Sequence, residues 1–438
     1  MANNKRLGSN YYPLNGPNAV LGVNSEYARN IDSVRNRENA PYASLDLDFT
    51  RPETYPNLSS FVTTFTRTGN TATYINKYGY VTTAQANTPR FDYDPVTLAP
   101  RGLLIEGTAT NRATRSDDFN TTVSDGSQWS LSGMTRSDAS MVLPNGSTGN
   151  ACGISGNGSI RSQAITVTAS TVYTFSFWAK NNSGTQARYR VWNVTAGSSI
   201  VDYTLSGSNY VSQLNNSTWT RISVTFTVPA GCTSIYVYPA SSDTTGTDVY
   251  LWGAQVELGN APSSYISTTT SVISRAVDTC ILTAASSWFT GGTTGTFLME
   301  WYAGIRQLTS TVRTVLSTQD ASGKHLHLQQ TSQTGNLKVA SFGGTTSVTT
   351  ANTMSLGAKV RGAFSYNNST VQVCLNGGTV ATSTGIDFST APSYIILGAT
   401  STNGTSITDA NVVLNSCLVS VKYFPFAFSS TVLQSLTA

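Results

Sequence analysis

The sequence predicts an all-β chain: two antiparallel β-sandwiches, preceded by an extended N-terminal arm and a small β connecting module. Two observations carry that expectation. Aromatic residues reach 10% and charged residues only 11%, with Ser, Thr and Gly between the apolar positions, the composition of many short strands joined by polar turns. Apolar residues also alternate with period two in many separate runs, the mark of half-buried strands. At 438 residues the chain exceeds one ordinary core, so several domains are expected.

The elements follow in order. Residues 1–44 are rich in Asn, Pro, Gly and Arg and show no sustained period. Their apolar and aromatic residues, Tyr11, Tyr12, Leu14, Val20, Leu21 and Tyr27, are too many for a purely solvating tail, so an arm that docks on a partner is expected. Residues 45–112 read as a connecting module. Leu45, Leu47 and Phe49 alternate on one strand face, and short strands follow around turns at Gly69-Asn70 and Tyr78-Gly79. Residues 113–275 form the first sandwich. Tyr173, Phe175 and Phe177 lie on one face of their strand, with Thr174, Ser176 and Trp178 on the other. Tyr189, Val191 and Asn193 likewise oppose Arg188, Arg190 and Trp192. Residues 276–438 carry the second sandwich, from GTFLMEWYAGI to CLVSVKYFPF, and end in a short helical turn after Ser429.

Charge concentrates between Thr88 and Arg115, where three prolines deny helix. Arg90, Asp92, Asp94, Arg101 and Glu106 can pair with one another and with turn amides, so this stretch is expected to be a joint that fixes module geometry.

Several function classes find no support. A net charge of +4, from 26 basic and 22 acidic residues, gives no basic stripe for nucleic acid. The nearest cluster, Arg29, Arg35 and Arg37, is interrupted by Asp32 and Glu38. No run is long and apolar enough to cross a membrane, and the first residues carry no secretory signal pattern. Five dispersed cysteines without CxxC read as buried free thiols. No enzyme is expected: Glu257 and Glu300 are unpaired by spacing, and no nucleophile elbow or phosphate loop appears. His325 and His327 share a strand face without a third ligand and are expected to be exposed strand residues.

The pieces FTR, PRFDYDP, RGLLIE and TN, within 45–111, resemble a module common in head-spike, head-fibre and tail-adhesin proteins of tailed phages. YTFSFWAK, STWTRISVTFTVP and LWGAQVELGNAPSSYI are similar to the carbohydrate-binding jelly-rolls attached to that module. AFSYNNSTVQVCLNGG and YIILGA resemble the laminin-G/concanavalin-like sandwich. The resemblance implies a structural protein of the virion surface, assembled in the host cytoplasm: a head fibre, decoration protein or tail adhesin. Its partners would be other virion proteins, through the arm, and host cell-surface glycan. A homo-oligomer such as a trimer would add multivalency. The alternative is a decoration or cement protein that binds no glycan.

Flat aromatics on a sheet stack on the CH faces of sugars. Trp178, Arg190, Trp192, Tyr236 and Tyr238 are the candidates for that contact; the other reading packs them against a core, a domain or a subunit. No cofactor is required. In the resembled jelly-rolls the closing strands often hold a structural calcium, which points to Asp118 and Asp248; the favoured reading of both is surface turn acids.

Overall fold

The structure is a computed structural model that describes residues 43–51, 62–119, 128–202, 204, 207–283, 288–289, 293–306, 312–320, 325–331, 334–341, 346–386, 392–400 and 412–438. Residues 1–42 of the expected arm lie outside the described residues, and so does the Arg29–Arg37 cluster. The chain is all-β, built from antiparallel sheets; among the described residues one short α-helix, Ser430–Thr437, accompanies them.

The second sandwich has an eight-stranded and a seven-stranded sheet. In the first of these, Thr294–Tyr302 lies between Lys359–Asn367 and Ser416–Phe424. Alternation sends Phe297, Met299 and Trp301 into the core, where they meet Val315, Leu328, Val339 and Ile396 of the facing sheet. The outward Leu298 is covered by the C-terminal helix, whose Leu433 joins Leu298, Ala363 and Phe424 in a satellite cluster.

Strands from residues 45–112 complete this sandwich. Leu45–Asp48 pairs with Ser416–Phe424, from Leu45 opposite Tyr423 to Asp48 opposite Ser420. Pro100–Ile105 pairs with the start of that same strand, and Phe91–Tyr93 lies outside it. Val62–Thr66 adds to the other sheet through Thr279–Thr283. Leu45, Leu47, Phe49, Leu103 and Ile105 are buried in the second sandwich's core. Between these strands, Thr73–Ile75 and Val81–Thr83 make a small hairpin.

The first sandwich is strung between strands of the second. Its entry, Ala109–Asn111, pairs with its exit, Ile273–Arg275. Asn111 locks this neck. Its amide nitrogen donates to the carbonyls of Ala254 and Ile266, and its amide oxygen accepts from the N–H groups of Ala113 and Val256. One long strand, Ser234–Leu258, organises the sandwich. Its first part pairs with Arg188–Asn193 and its last part with Val172–Asn181, while Thr148–Arg161 runs along its other side. Tyr173, Phe175, Phe177, Val191, Ile235, Val237, Val249 and Leu251 fill the core.

Candidate functional site

Register brings four of the five aromatic-face candidates together. Arg190 stands opposite Tyr238, and Trp192 opposite Tyr236. Val191, Ile235 and Val237 point into the core, so the alternate residues share the outer face. The Arg190 guanidinium lies 4.3 Å from the Trp192 ring centroid and 5.4 Å from that of Tyr238. It also donates to Ser199 Oγ at 3.2 Å. Arg161, at the end of Thr148–Arg161, lies 3.9 Å from the Tyr236 ring centroid. Trp192, Tyr236, Arg161 and Arg190 are half-buried, and Tyr238 is 8% exposed. Arg161 has no period-two partner in its Gly- and Ser-rich strand, so alternation did not mark it.

The fifth candidate is corrected. Trp178 is 7% exposed and offers no face to a sugar. It packs edge-on against Trp252 and Tyr265, with ring centroids 5.4 and 5.3 Å away, and Val81 of the connecting hairpin joins the cluster. Arg221 covers it at 4.5 Å. This strand face is closed by the segment after Leu258: Thr174 donates to the Gly259 carbonyl, and Arg221 reaches both Ser176 Oγ and the Ser263 carbonyl. Trp178 therefore belongs to the contact between the first sandwich and the module before it.

The charged stretch divides in two. Arg90 and Glu106 are buried in a polar network, whereas Asp94, Arg101 and Asp92 stand around it. Arg90 donates to Glu106 at 2.7 Å, to Ser264 Oγ at 2.9 Å, to the Thr73 carbonyl at 2.7 Å and to Asp278. Arg67 takes the other oxygen of Asp278 at 2.9 Å. Arg275 lies 3.1 Å from Glu106. Burial opposes the Glu106 charge, but Arg275 and Arg90, with Ser264, hold its carboxyl well below the usual range. Burial likewise opposes the Arg90 charge, and Asp278 and Glu106 overcome it, raising its pKa. Burial pulls Arg275 down to about 10.

Asp92 accepts from the Ile75 N–H at 2.8 Å, and burial pushes its carboxyl up to about 6. Asp94 caps an exposed turn through the amides of Val96 and Thr97. Arg101 lies over the Tyr302 ring at 4.7 Å. Beside the network, Glu257 is fully buried, accepting from Ser263 N at 2.8 Å and Ser263 Oγ at 2.7 Å, with Arg306 at 3.2 Å.

Sequence reasoning missed Arg67, Asp278, Arg275 and Ser264 as members of this network. A signal was present. Arg67 lies in FTR, Arg90 in PRFDYDP, Glu106 in RGLLIE, Asn111 in TN, and Ser263 and Ser264 in PSSYI. The short pieces that carried the family resemblance converge here.

Asp118 lies 3.5 Å from Arg115, and Asp248 accepts from Asn182 Nδ2 at 3.0 and 3.1 Å and from Ser183. Among the described residues no three His, Cys, Asp or Glu side chains gather to hold a metal ion. His327 is 5% exposed, which corrects the expectation of an exposed residue; its strand is an inner one, with Ser317 opposite it on one side and Ala340 on the other. All five cysteines are free and buried, as the sequence predicted. Glu300 is held by Arg361 and by Lys359 at 3.8 Å.

No family model matches the sequence, and no curated protein is significantly similar to it. Solved structures show limited likeness. A carbohydrate-binding module, CBM40, of the Ruminococcus gnavus intramolecular trans-sialidase, bound to α2,6-sialyllactose, is 17% identical over 35% of this chain and 88% of its own, with a TM-score of 0.27. The CBM22-1 xylan-binding domain of Paenibacillus barcinonensis Xyn10C is 12% identical over 36% of this chain and 99% of its own, with a TM-score of 0.25. The enzymatically active domain of tailspike protein 4 of bacteriophage CBA120 is 18% identical over 34% of this chain and 21% of its own, with a TM-score of 0.25. Likenesses of this size say nothing about ligand or activity in this chain.

Proposed function

We propose that this chain is a non-catalytic surface protein of a tailed-phage virion that binds glycan through the outer face of its first sandwich. One observation carries the reading: Trp192 and Tyr236, with Arg161 and Arg190, are gathered on one sheet face that the core does not use, around the buried Tyr238. The aromatic rings hold the guanidinium groups in place and add what apolar surface they leave uncovered, and the guanidinium groups supply donors for sugar oxygens. The arm of residues 1–44 docks on other virion proteins, and copies of the chain assemble so that weak sites act together.

The test is retention of the full chain in gels containing host-envelope polysaccharides. Trp192→Ala is expected to weaken retention at least tenfold while lowering the unfolding temperature only slightly. Absence of retention on every host glycan would refute the proposal. The alternative, a decoration or cement protein, draws on the buried network that ties residues 45–112 to both sandwiches, through Asp278 on one side and Ser264 and Arg275 on the other. It predicts that particles lacking the protein lose resistance to heat or osmotic shock while adsorption to cells is unchanged.

A further inference from the structure

We infer that the ligand of this face carries a carboxylate, so that the glycan is an acidic one read by Arg161 and Arg190. The inference rests on the glycan-binding reading and narrows it. A neutral sugar stacked on this face would need bare aromatic surface for its CH groups. Here guanidinium groups already lie over the rings: Arg161 over Tyr236 at 3.9 Å, Arg190 over Trp192 at 4.3 Å. A guanidinium held against a ring has spent its flat faces and keeps its N–H edge for acceptors. At Arg161 that edge is a fork of donors matched to the two oxygens of a carboxylate, whereas Arg190 already spends part of its edge on Ser199. Guanidinium is also weakly hydrated, so bringing an anion against it costs little desolvation compared with an ammonium.

The local charge agrees with the geometry. The Tyr238 hydroxyl is buried, which raises its pKa, while Arg190 and Arg161 both act in the opposite sense, favouring its anion. Two cations thus act on one hydroxyl. Asp202 stands at the rim. Its carboxyl is held low first by the Thr204 amide and, more weakly, by Ser199 and Arg190. Arg190 therefore divides its charge, and Arg161 is the stronger anchor. The hydrogen bond from Arg161 to the Ser162 carbonyl is long, 3.4 Å.

The test uses the full chain in affinity gels of polygalacturonate, hyaluronate and polysialate, each beside its carboxyl-reduced form, with dextran sulfate as a carboxyl-free polyanion. Retention is expected on at least one acidic polymer, at least tenfold weaker on its reduced form and in Arg161→Gln. Arg161→Lys keeps the charge but loses the fork, and is expected to lose most of that retention. Equal retention on acidic and reduced forms overturns the inference and leaves the glycan reading standing. Retardation by dextran sulfate as strong as by the carboxylates overturns it too, by showing response to charge alone. Unchanged retention in Arg161→Gln and Arg161→Lys, each folded by thermal unfolding, also overturns it. Silence on every polymer, acidic and reduced, overturns the inference, while the glycan reading beneath it still stands or falls with the host-envelope polysaccharides.

Discussion

Arg90 donates to Asp278, 188 residues further along the chain, and both side chains are fully buried. Asp278 is shared with Arg67, and Arg90 is shared with Glu106, so no member of the network is dispensable. Taking one partner away strands the charge of the next. Arg90→Ala or Asp278→Ala is expected to cost about 3–5 kcal/mol, read as a lower urea midpoint. Arg101, half-buried over Tyr302, is a control: Arg101→Ala should cost no more than about 1 kcal/mol.

Two carboxyls beside each other should give opposite pH limbs. Asp92 has a folded-state pKa of about 6 against an ordinary 3.8, so the fold binds the extra proton and loses stability as pH rises from about 4 to about 6. Glu106 is depressed from its ordinary 4.5, so its contribution is present above that value and is lost as pH falls below it. Unfolding temperature measured from about pH 2 to 8 should rise and then dip. Asp92→Asn should remove the dip, and Glu106→Gln should flatten the acid limb. A single monotonic curve in all three proteins would contradict this assignment.

Leu47 lies in the first described strand yet is buried in the core of the second sandwich. Leu47→Ala is expected to cost about 2–4 kcal/mol through lost contact and a residual cavity. Hydrogen exchange should show the loss in Ser416–Phe424, the strand on which it rests, with Val172–Asn181 unaffected.

Two tryptophans with similar sequence surroundings should behave differently. Trp178→Ala opens a cavity between Trp252, Tyr265 and Val81 and should cost about 3–5 kcal/mol. Trp192→Ala, on the half-buried outer face, should cost about 1 kcal/mol or less while weakening glycan retention. Calorimetry of both variants separates the cases.

The strands were legible because alternation is local: Phe175 and Phe177 share a face wherever the chain goes. Which outer faces stay open was not, because closure comes from afar. The Thr174 side is sealed by Gly259, 85 residues away, and nothing near Trp178 announces it. The pairing of Arg190 with Tyr238 and Trp192 with Tyr236 likewise needs a register that periodicity does not supply. Charge density pointed to Arg90 and Glu106. Asp278, alone in an unremarkable connector, becomes meaningful only once two arginines reach it. Pairing of Leu45–Asp48 with a strand near the other end of the chain had no sequence signal at all.

That last pairing has a consequence for synthesis. Asp46 meets Lys422, 376 residues downstream. A ribosome adding about 5–20 residues per second takes roughly 20–75 seconds to cover that stretch. Throughout, Leu45, Leu47 and Phe49 have emerged while the strand that shelters them does not yet exist. The inserted first sandwich can finish folding in that interval, but the older segment must wait, greasy and unpaired, for the youngest. Nascent chains of this protein are therefore expected to depend on a holding chaperone until the final strand clears the exit tunnel.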